Sequence, residues 1–329
     1  MELFFVNYLK VCLDFVNIVL IRSLFVLLAL VFLNACANQS ADATSAWRIG
    51  YQVSDVTPQQ PLALWTSETQ PTLAWVGDPA SPNLRLWQNS TTVQTLPLGI
   101  TPRQLTAYSL PHGWTQLLWL DQTLPDEIQL IGGTVDEKGE VQRGPTEISL
   151  MRTLDYAAAS IPGGAVLTLW TTLDHQTAAP VLYAQIVDAL GRPLPARRVA
   201  QRGQFPSLTV DQQGNIHLFW MDTADGLSWT LHYASLTIDQ AAGSGDLDLG
   251  SQVVGAITLK EGEILANVQI GTDAAHLYAC WTVQDITKSG DPRIEGISFP
   301  LKSPTSIHPF SLSIPDRRLD HLAFSTTAE

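Results

Sequence analysis

Gly214-Asn215-Ile216-His217-Leu218-Phe219-Trp220 is a short apolar run opened by glycine and closed by tryptophan, and the chain repeats it. Fifty residues earlier stands Gly164-Ala165-Val166-Leu167-Thr168-Leu169-Trp170, and fifty-one before that Gly113-Trp114-Thr115-Gln116-Leu117-Leu118-Trp119. Looser copies end at Trp75 and Trp281, so the five tryptophans are spaced by 44, 51, 50 and 61 residues. Periods of this size belong to solenoids, propellers or arrays, in which each unit buries its apolar faces against its neighbours. The 284 residues from 46 to 329 hold between five and six such units.

The unit around Trp220 shows which architecture applies. Phe205 to Asp211 leads through Gln212-Gln213-Gly214 into the Trp220 run, and turn chemistry between two β-rich segments predicts a hairpin. Trp229 to Ile238 supplies a third strand, and Leu247 to Val254 a fourth. The preceding unit agrees: Trp170 to Tyr183 and Trp220 to Tyr233 both span thirteen residues, which places Tyr183 and Tyr233 in equivalent positions. Asp136-Glu137-Lys138-Gly139 and Asp188-Ala189-Leu190-Gly191 mark turns between third and fourth strands. No run of 3.6-residue periodicity interrupts the units, which excludes helical solenoids and crossover-type parallel sheets. The expected fold is all-β, a β-propeller of four-stranded antiparallel blades. Five blades are expected, with Trp47 to Val53 completing the last one as a clasp; a six-bladed or truncated ring is the alternative.

The pattern Val-Asp-x-x-Gly-x-Ile-His-x-x-Trp, followed by x-Tyr-Ala, resembles the repeats of secreted bacterial propellers of the sialidase-like or BNR-like kind, over residues 100 to 285. Sialidases add Ser-x-Asp-x-Gly-x-Thr-Trp turns and use an arginine triad; no such turn and no Arg-Ile-Pro segment near the first blade is found here, Arg293-Ile294-Glu295 being a poor substitute, so the resemblance implies the fold and carries over no catalytic residue.

At the N-terminus, Leu24 to Leu33 is an apolar run after Arg22, the charged and hydrophobic regions of an export signal. Leu33-Asn34-Ala35-Cys36 resembles the lipobox of bacterial lipoproteins, with Asn34 a departure from its usual small residue. The resemblance implies cleavage before Cys36 and acylation of its sulfur with palmitate-type chains. Lys10, Asp14 and Arg22 would each cost roughly 2.5–3.5 kcal/mol at the centre of a membrane helix, which disfavours an uncleaved span. The expected organisation is a signal peptide over 1–35, a small-residue tether over 36–45 and the propeller over 46–329. The implied location is the bacterial cell envelope, extracytoplasmic and attached to the membrane through the lipid.

The formal charge of −13 argues against a nucleic-acid partner, since affinity for phosphate backbones rests on clustered Lys and Arg. Of three cysteines only Cys280 falls within the repeats, so no disulfide is expected there and the residue reads as a small buried hydrophobe. The tryptophans of the repeat, Trp119, Trp170, Trp220 and Trp281, are expected as wedges between blades, whereas Trp65, Trp87, Trp114 and Trp229 stand off the register and are the candidates for exposed stacking surfaces, with Trp114 and Trp229 expected as ligand-binding residues.

Asp78, Asp121, Asp174, Asp222 and Asp285 each follow a repeat tryptophan by two to four residues. They are expected on one rim, at the turns joining second and third strands, as a ring able to bind a cation or sugar hydroxyls; the alternative is that aspartate simply ends the strand. Arg197, Arg198 and Arg202 are expected near the same rim, as surface ion pairs or an anion site. His217 reads as a hydrogen-bonded core residue. No metal-ligand spacing, phosphate-binding glycine loop or nucleophile elbow is found, and no cofactor is expected. The functional expectation is a membrane-anchored module recognising a protein or glycan on the propeller rim. The alternatives are a glycoside hydrolase using the rim carboxylates and a structural subunit of an envelope complex.

Overall fold

The computed structural model describes residues 62–67, 70–76, 83–88, 92–97, 102–124, 127–149, 152–242, 246–247, 249–273, 275–287 and 292–313. They form five four-stranded antiparallel sheets, each made of consecutive strands, which is a five-bladed propeller. Blade 1 comprises β1 (Leu62–Ser67), β2 (Gln70–Val76), β3 (Asn83–Gln88) and β4 (Thr92–Pro97). Blade 2 comprises β5 (Pro102–Ser109), β6 (Thr115–Leu124), β7 (Glu127–Val135) and β8 (Val141–Glu147). Blade 3 comprises β9 (Thr153–Ile161), β10 (Ala165–Leu173), β11 (Pro180–Val187) and β12 (Arg197–Ala200). Blade 4 comprises β13 (Gln204–Val210), β14 (Ile216–Thr223), β15 (Ser228–Leu236) and β16 (Gln252–Thr258), with a short helix α1 (Ile238–Ala242) before its last strand. Blade 5 comprises β17 (Glu263–Thr272), β18 (His276–Asp285), β19 (Arg293–Pro300) and β20 (His308–Ser313). Blade 5 thus takes its four strands from one continuous stretch and needs none from elsewhere to complete it. Residues 1–45, with the expected signal segment, Cys36 and the expected tether, and the segment Trp47 to Val53 lie outside the described residues. Among the described residues no helix is long and apolar enough to cross a membrane.

Burial within each blade follows its radial position. The second strands β10 and β14 are buried on both faces, which is why they read as continuous apolar runs instead of alternating. The outermost β8 is exposed at all seven positions and carries Arg143, Pro145 and Glu147, residues that blunt an open sheet edge. Four apolar clusters fill the gaps between consecutive blades. Trp119, Trp170, Trp220 and Trp281, all 3% exposed or less, each enter the cluster shared with the preceding blade. Adjacent residues of a strand face opposite ways, so Phe219, just before Trp220, joins the cluster with the following blade. Cys280 is a buried free thiol that burial pushes up to a pKa of about 12.

Three turns share one construction. In Asp136–Glu140, Asp188–Arg192 and Asp211–Asn215 the aspartate Oδ1 accepts the backbone N–H groups two and four residues on. A glycine at the fourth place takes the left-handed backbone that closes the hairpin, with φ of 79° at Gly139, 71° at Gly191 and 83° at Gly214.

Two expectations need correction. Trp170 pairs across the strands with Tyr183, and their rings stack at 5.9 Å, but Trp220 pairs with His232, at 5.4 Å. The link from β14 to β15 is one residue shorter, and in a strand one residue reverses the face. Tyr233 therefore points to the opposite side, where it meets Phe299 and His217. The fourth strand of blade 4 also starts later than Leu247, because α1 and the segment after it are held by Arg197 and Arg198. Arg197 donates to the carbonyls of Gln240 and Ala241, and Arg198 pairs with Asp246 at 2.6 Å. These two arginines thus brace a connection within blade 4, while Arg202 is exposed in the link to β13.

Candidate functional site

The first strands of successive blades, β1, β5, β9, β13 and β17, touch in that order around the axis. Those of blades 2 to 5 line a central cavity of about 620 Å³. Its entrance lies at the edge carrying the turns between second and third strands, since each inner strand begins there.

Near that entrance three inner strands are distorted in the same way. Gln104 and Leu105 oppose Trp119, Phe205 and Pro206 oppose Trp220, and Asn267 and Val268 oppose Trp281, two residues against one. At each bulge the first residue has left-handed backbone: φ is 49° at Gln104, 53° at Phe205 and 52° at Asn267. A side chain in that region costs roughly 1–3 kcal/mol, and bulges of this kind re-aim side chains at functional positions. Threefold repetition at one level of the channel is the geometric signature of the site. In β9 the corresponding residue, fifteen before its repeat tryptophan, is Asp155.

Asp155 is half-buried at the cavity wall. Its Oδ1 accepts the Tyr156 backbone N–H at 2.7 Å and Gln104 Nε2 at 3.2 Å; Oδ2 takes no hydrogen bond among the described residues. Burial pushes its pKa up to about 6, and the two donors hold back a larger rise. Two tyrosines tie β5 to β9 beside it. Tyr108 donates to the Ala158 carbonyl at 2.7 Å, and the Tyr156 hydroxyl lies against the carbonyls of Gln104 and Leu118 and against Thr106 Oγ1. Burial raises both phenols, Tyr108 to about 12, so they stay neutral. Gln204, Gln269 and the Phe205 ring complete the polar and aromatic lining.

Trp229, expected as an exposed platform, is 7% exposed. It packs beneath Phe205 with ring centroids 5.4 Å apart and donates Nε1 to the Gly226 carbonyl, so it supports the bulge from within the core. Trp114 is half-buried against the cluster between blades 2 and 3, at the opposite edge of the propeller. Trp65 and Trp87 stand in β1 and β3, and their side chains lie outside the described set.

Asp121, Asp174, Asp222 and Asp285 all sit at the ends joining second and third strands, the same edge as the cavity entrance. They are not equivalent there. Asp174 accepts the N–H groups of Gln176 and Thr177 and the Thr177 hydroxyl, and Asp285 accepts the N–H and hydroxyl of Thr287, so both organise their own turns. Asp121 and Asp222 belong to β6 and β14, and each has a buried Oδ1 without a hydrogen-bond partner among the described residues. Asp121 is 3% exposed, and burial raises its pKa. None of the four lines the central cavity. Asp78 lies outside the described residues, among which no group of His, Cys, Asp and Glu is placed to hold a metal ion.

A larger cleft, about 810 Å³, separates blades 4 and 5 at the opposite edge. The expected core histidine lies at its floor: His217 Nδ1 meets the Tyr233 hydroxyl at 2.9 Å and Nε2 meets Asp211 Oδ2 at 3.2 Å, with all three residues under 9% exposed. Asp211 accepts from Gln213, Asn215 and His217, and burial lowers the His217 pKa, so a neutral imidazole braces an ionised Asp211 in a closed network that fixes a turn.

The channel residues escaped sequence reading because attention falls on aspartates after the tryptophans, whereas the bulges lie fourteen or fifteen residues before them. The available signal was the spacing of Gln104, Asp155, Phe205 and Asn267 against Trp119, Trp170, Trp220 and Trp281.

No family model matches the chain, and no curated protein matches it in sequence. Solved structures do match in fold. An unknown function protein from Dyadobacter fermentans is similar over 78% of this chain and 84% of its own, at 9% identity and a TM-score of 0.50. A polysaccharide lyase, the PL25 ulvan lyase bound to -[GlcA(1-4)Rha3S]-, is similar over 79% of this chain and 71% of its own, at 8% identity and a TM-score of 0.50. The α-L-arabinanase from Penicillium chrysogenum complexed with arabinobiose covers 79% and 95%, at 10% identity and a TM-score of 0.46. At these identities the likeness is one of fold: the chain is a β-propeller with counterparts among solved structures.

Proposed function

We propose that this protein is an extracytoplasmic module, held to the bacterial envelope by a lipid on Cys36, that recognises a glycan at the mouth of the central channel. The observation that carries the reading is the composition of the mouth: amides at Gln104, Gln204, Asn267 and Gln269, one carboxyl at Asp155 and an aromatic ring at Phe205, gathered by a bulge repeated in three blades. Sugar chains present alternating hydroxyls and apolar ring faces, and fixed amides beside an aromatic surface satisfy both. The ulvan lyase with this fold acts on a polysaccharide; at 8% identity it lends the fold and no residue.

A second reading is favoured by Asp155 itself. A carboxyl with a pKa near 6 can deliver a proton to a glycosidic oxygen, as hydrolysis requires. Two-carboxylate hydrolysis also needs a partner about 5–9.5 Å away, and among the described residues lining the cavity Asp155 is the one carboxylate. Recognition is therefore placed first.

Glycan-array binding and release of reducing ends, measured on wild type and Asp155→Asn, test both readings. Binding without release supports recognition, release lost in the variant supports hydrolysis, and an absence of both refutes the site. For the anchor, Cys36→Ser should move the protein from the detergent phase to the aqueous phase, since each buried acyl CH₂ contributes about 0.8 kcal/mol. Unchanged partitioning refutes the lipid.

A further inference from the structure

We infer that the channel selects uncharged sugar chains and turns away glycans bearing carboxylate or sulfate groups, an inference that rests on the glycan reading above. The charge inventory of the lining carries it. Among the described residues around the cavity there is no Lys, Arg or His, and the one charged group is Asp155. The inner strand of blade 1, Leu62–Ser67, has the sequence Leu-Ala-Leu-Trp-Thr-Ser and adds no ionisable residue. Protein sites that hold carboxylate, sulfate or phosphate groups do so with Arg or Lys, in charge-assisted and often bidentate hydrogen bonds. Here an anionic sugar would lose its hydration without a cation to replace it, and would approach a carboxylate of its own sign. The chain's formal charge of −13 adds repulsion at longer range.

A neutral chain meets neither penalty. Gln204, Gln269 and Asn267 offer both donors and acceptors, and Asp155 Oδ2, which no group in the described protein engages, is free to accept a sugar hydroxyl. The other titratable groups lining the cavity, Tyr108 from β5 and Tyr156 from β9, are neutral at any physiological pH, and β13 and β17 present no titratable group to the cavity. Among the described lining residues, the pH-dependent part of charge discrimination should therefore follow the ionisation of Asp155.

The test compares dextran, xylan and cello-oligosaccharides, each beside its carboxymethylated derivative, so that the members of a pair share a backbone and differ in charge. At pH 7.5 at least one neutral member should bind about tenfold or more tightly than its derivative, a difference of about 1.4 kcal/mol, and the gap should narrow at pH 5. Gln269→Arg places a cation at an exposed position of the lining, where folding is not at stake, and should also narrow the gap. Equal or tighter binding of the carboxymethylated members at pH 7.5 overturns the inference and leaves the glycan reading standing. A gap indifferent to Gln269→Arg shows that the sugar sits outside the channel and overturns it too. Failure of every polysaccharide, neutral and charged, overturns the glycan reading and this inference together.

Discussion

Replacing Trp220 by alanine tests the propeller at its repeat. The side chain is 2% exposed, stacks on His232 and fills the gap between blades 3 and 4 with Leu182 and Leu218. An aromatic of this size buries about 150–250 Å², which at ~25 cal/mol per Å² is worth about 4–6 kcal/mol. Alanine keeps a small part of that, and the two sheets flanking the gap are held by their own ladders, so the void collapses poorly. Gly203 has no side chain to move in, and it is close-packed against Leu182 and the Trp220 ring already. We therefore expect a loss of about 3–5 kcal/mol, typical of large-to-small changes in a tight core, against a domain margin of ~5–15 kcal/mol. Urea unfolding followed by far-ultraviolet circular dichroism should show a lower midpoint with the slope unchanged. Trp229→Ala should cost a comparable amount, about 2–4 kcal/mol, because the structure buries that ring under Phe205. A Trp220→Ala protein within 1 kcal/mol of wild type would refute the wedge, and with it the assignment of the inter-blade cores.

Two further perturbations follow from local geometry. Gly296→Ala would drive a methyl group into the Phe310 ring and to 2.5 Å from the Ala279 carbonyl oxygen, a backbone atom that cannot yield; a loss of about 1–3 kcal/mol is expected, and an unchanged melting temperature would contradict the packing of blade 5. Glu263 is held at a pKa of about 2, chiefly by Arg293, whose Nη1 lies 2.6 Å from Oε1, and next by the Lys260 backbone N–H. A depressed carboxylate pKa contributes stability that is whole above the ordinary value of 4.5 and is lost as pH falls from there toward 2. Glu263→Gln should therefore flatten the acid limb of a stability profile between pH 5 and pH 2.5, and an identical limb in both proteins would show that the pair does not govern it.

The repeat was legible in the sequence because a blade's second strand is buried on both faces. That burial leaves a continuous apolar run such as Val166 to Trp170, and a fixed number of strands per blade spaces the runs evenly. The turns were legible for a similarly local reason: Asp211 and Gly214 act within five residues, through one carboxylate and one left-handed backbone position. What the residues themselves could not declare was anything that depends on counting across a loop. A connection one residue shorter after Trp220 turned Tyr233 away from the place Tyr183 holds, and no property of tyrosine signals that reversal. Trp229 looked exposed because it stands off the repeat, yet its ring is buried by Phe205, a residue more than twenty positions away whose backbone only a bulge could aim. The channel is the extreme case. Gln104, Asp155, Phe205 and Asn267 are about fifty to sixty residues apart from one to the next in sequence and meet because the inner strands converge on one axis. By itself the sequence determined the all-β repeat and the burial of the tryptophans in its register, since periodicity and burial are local consequences of residue type; the count of five blades came from the sheets themselves. Tertiary structure alone decided which side chains share the channel and what charge it presents, because both arise from strand register and from the ring that brings distant blades together.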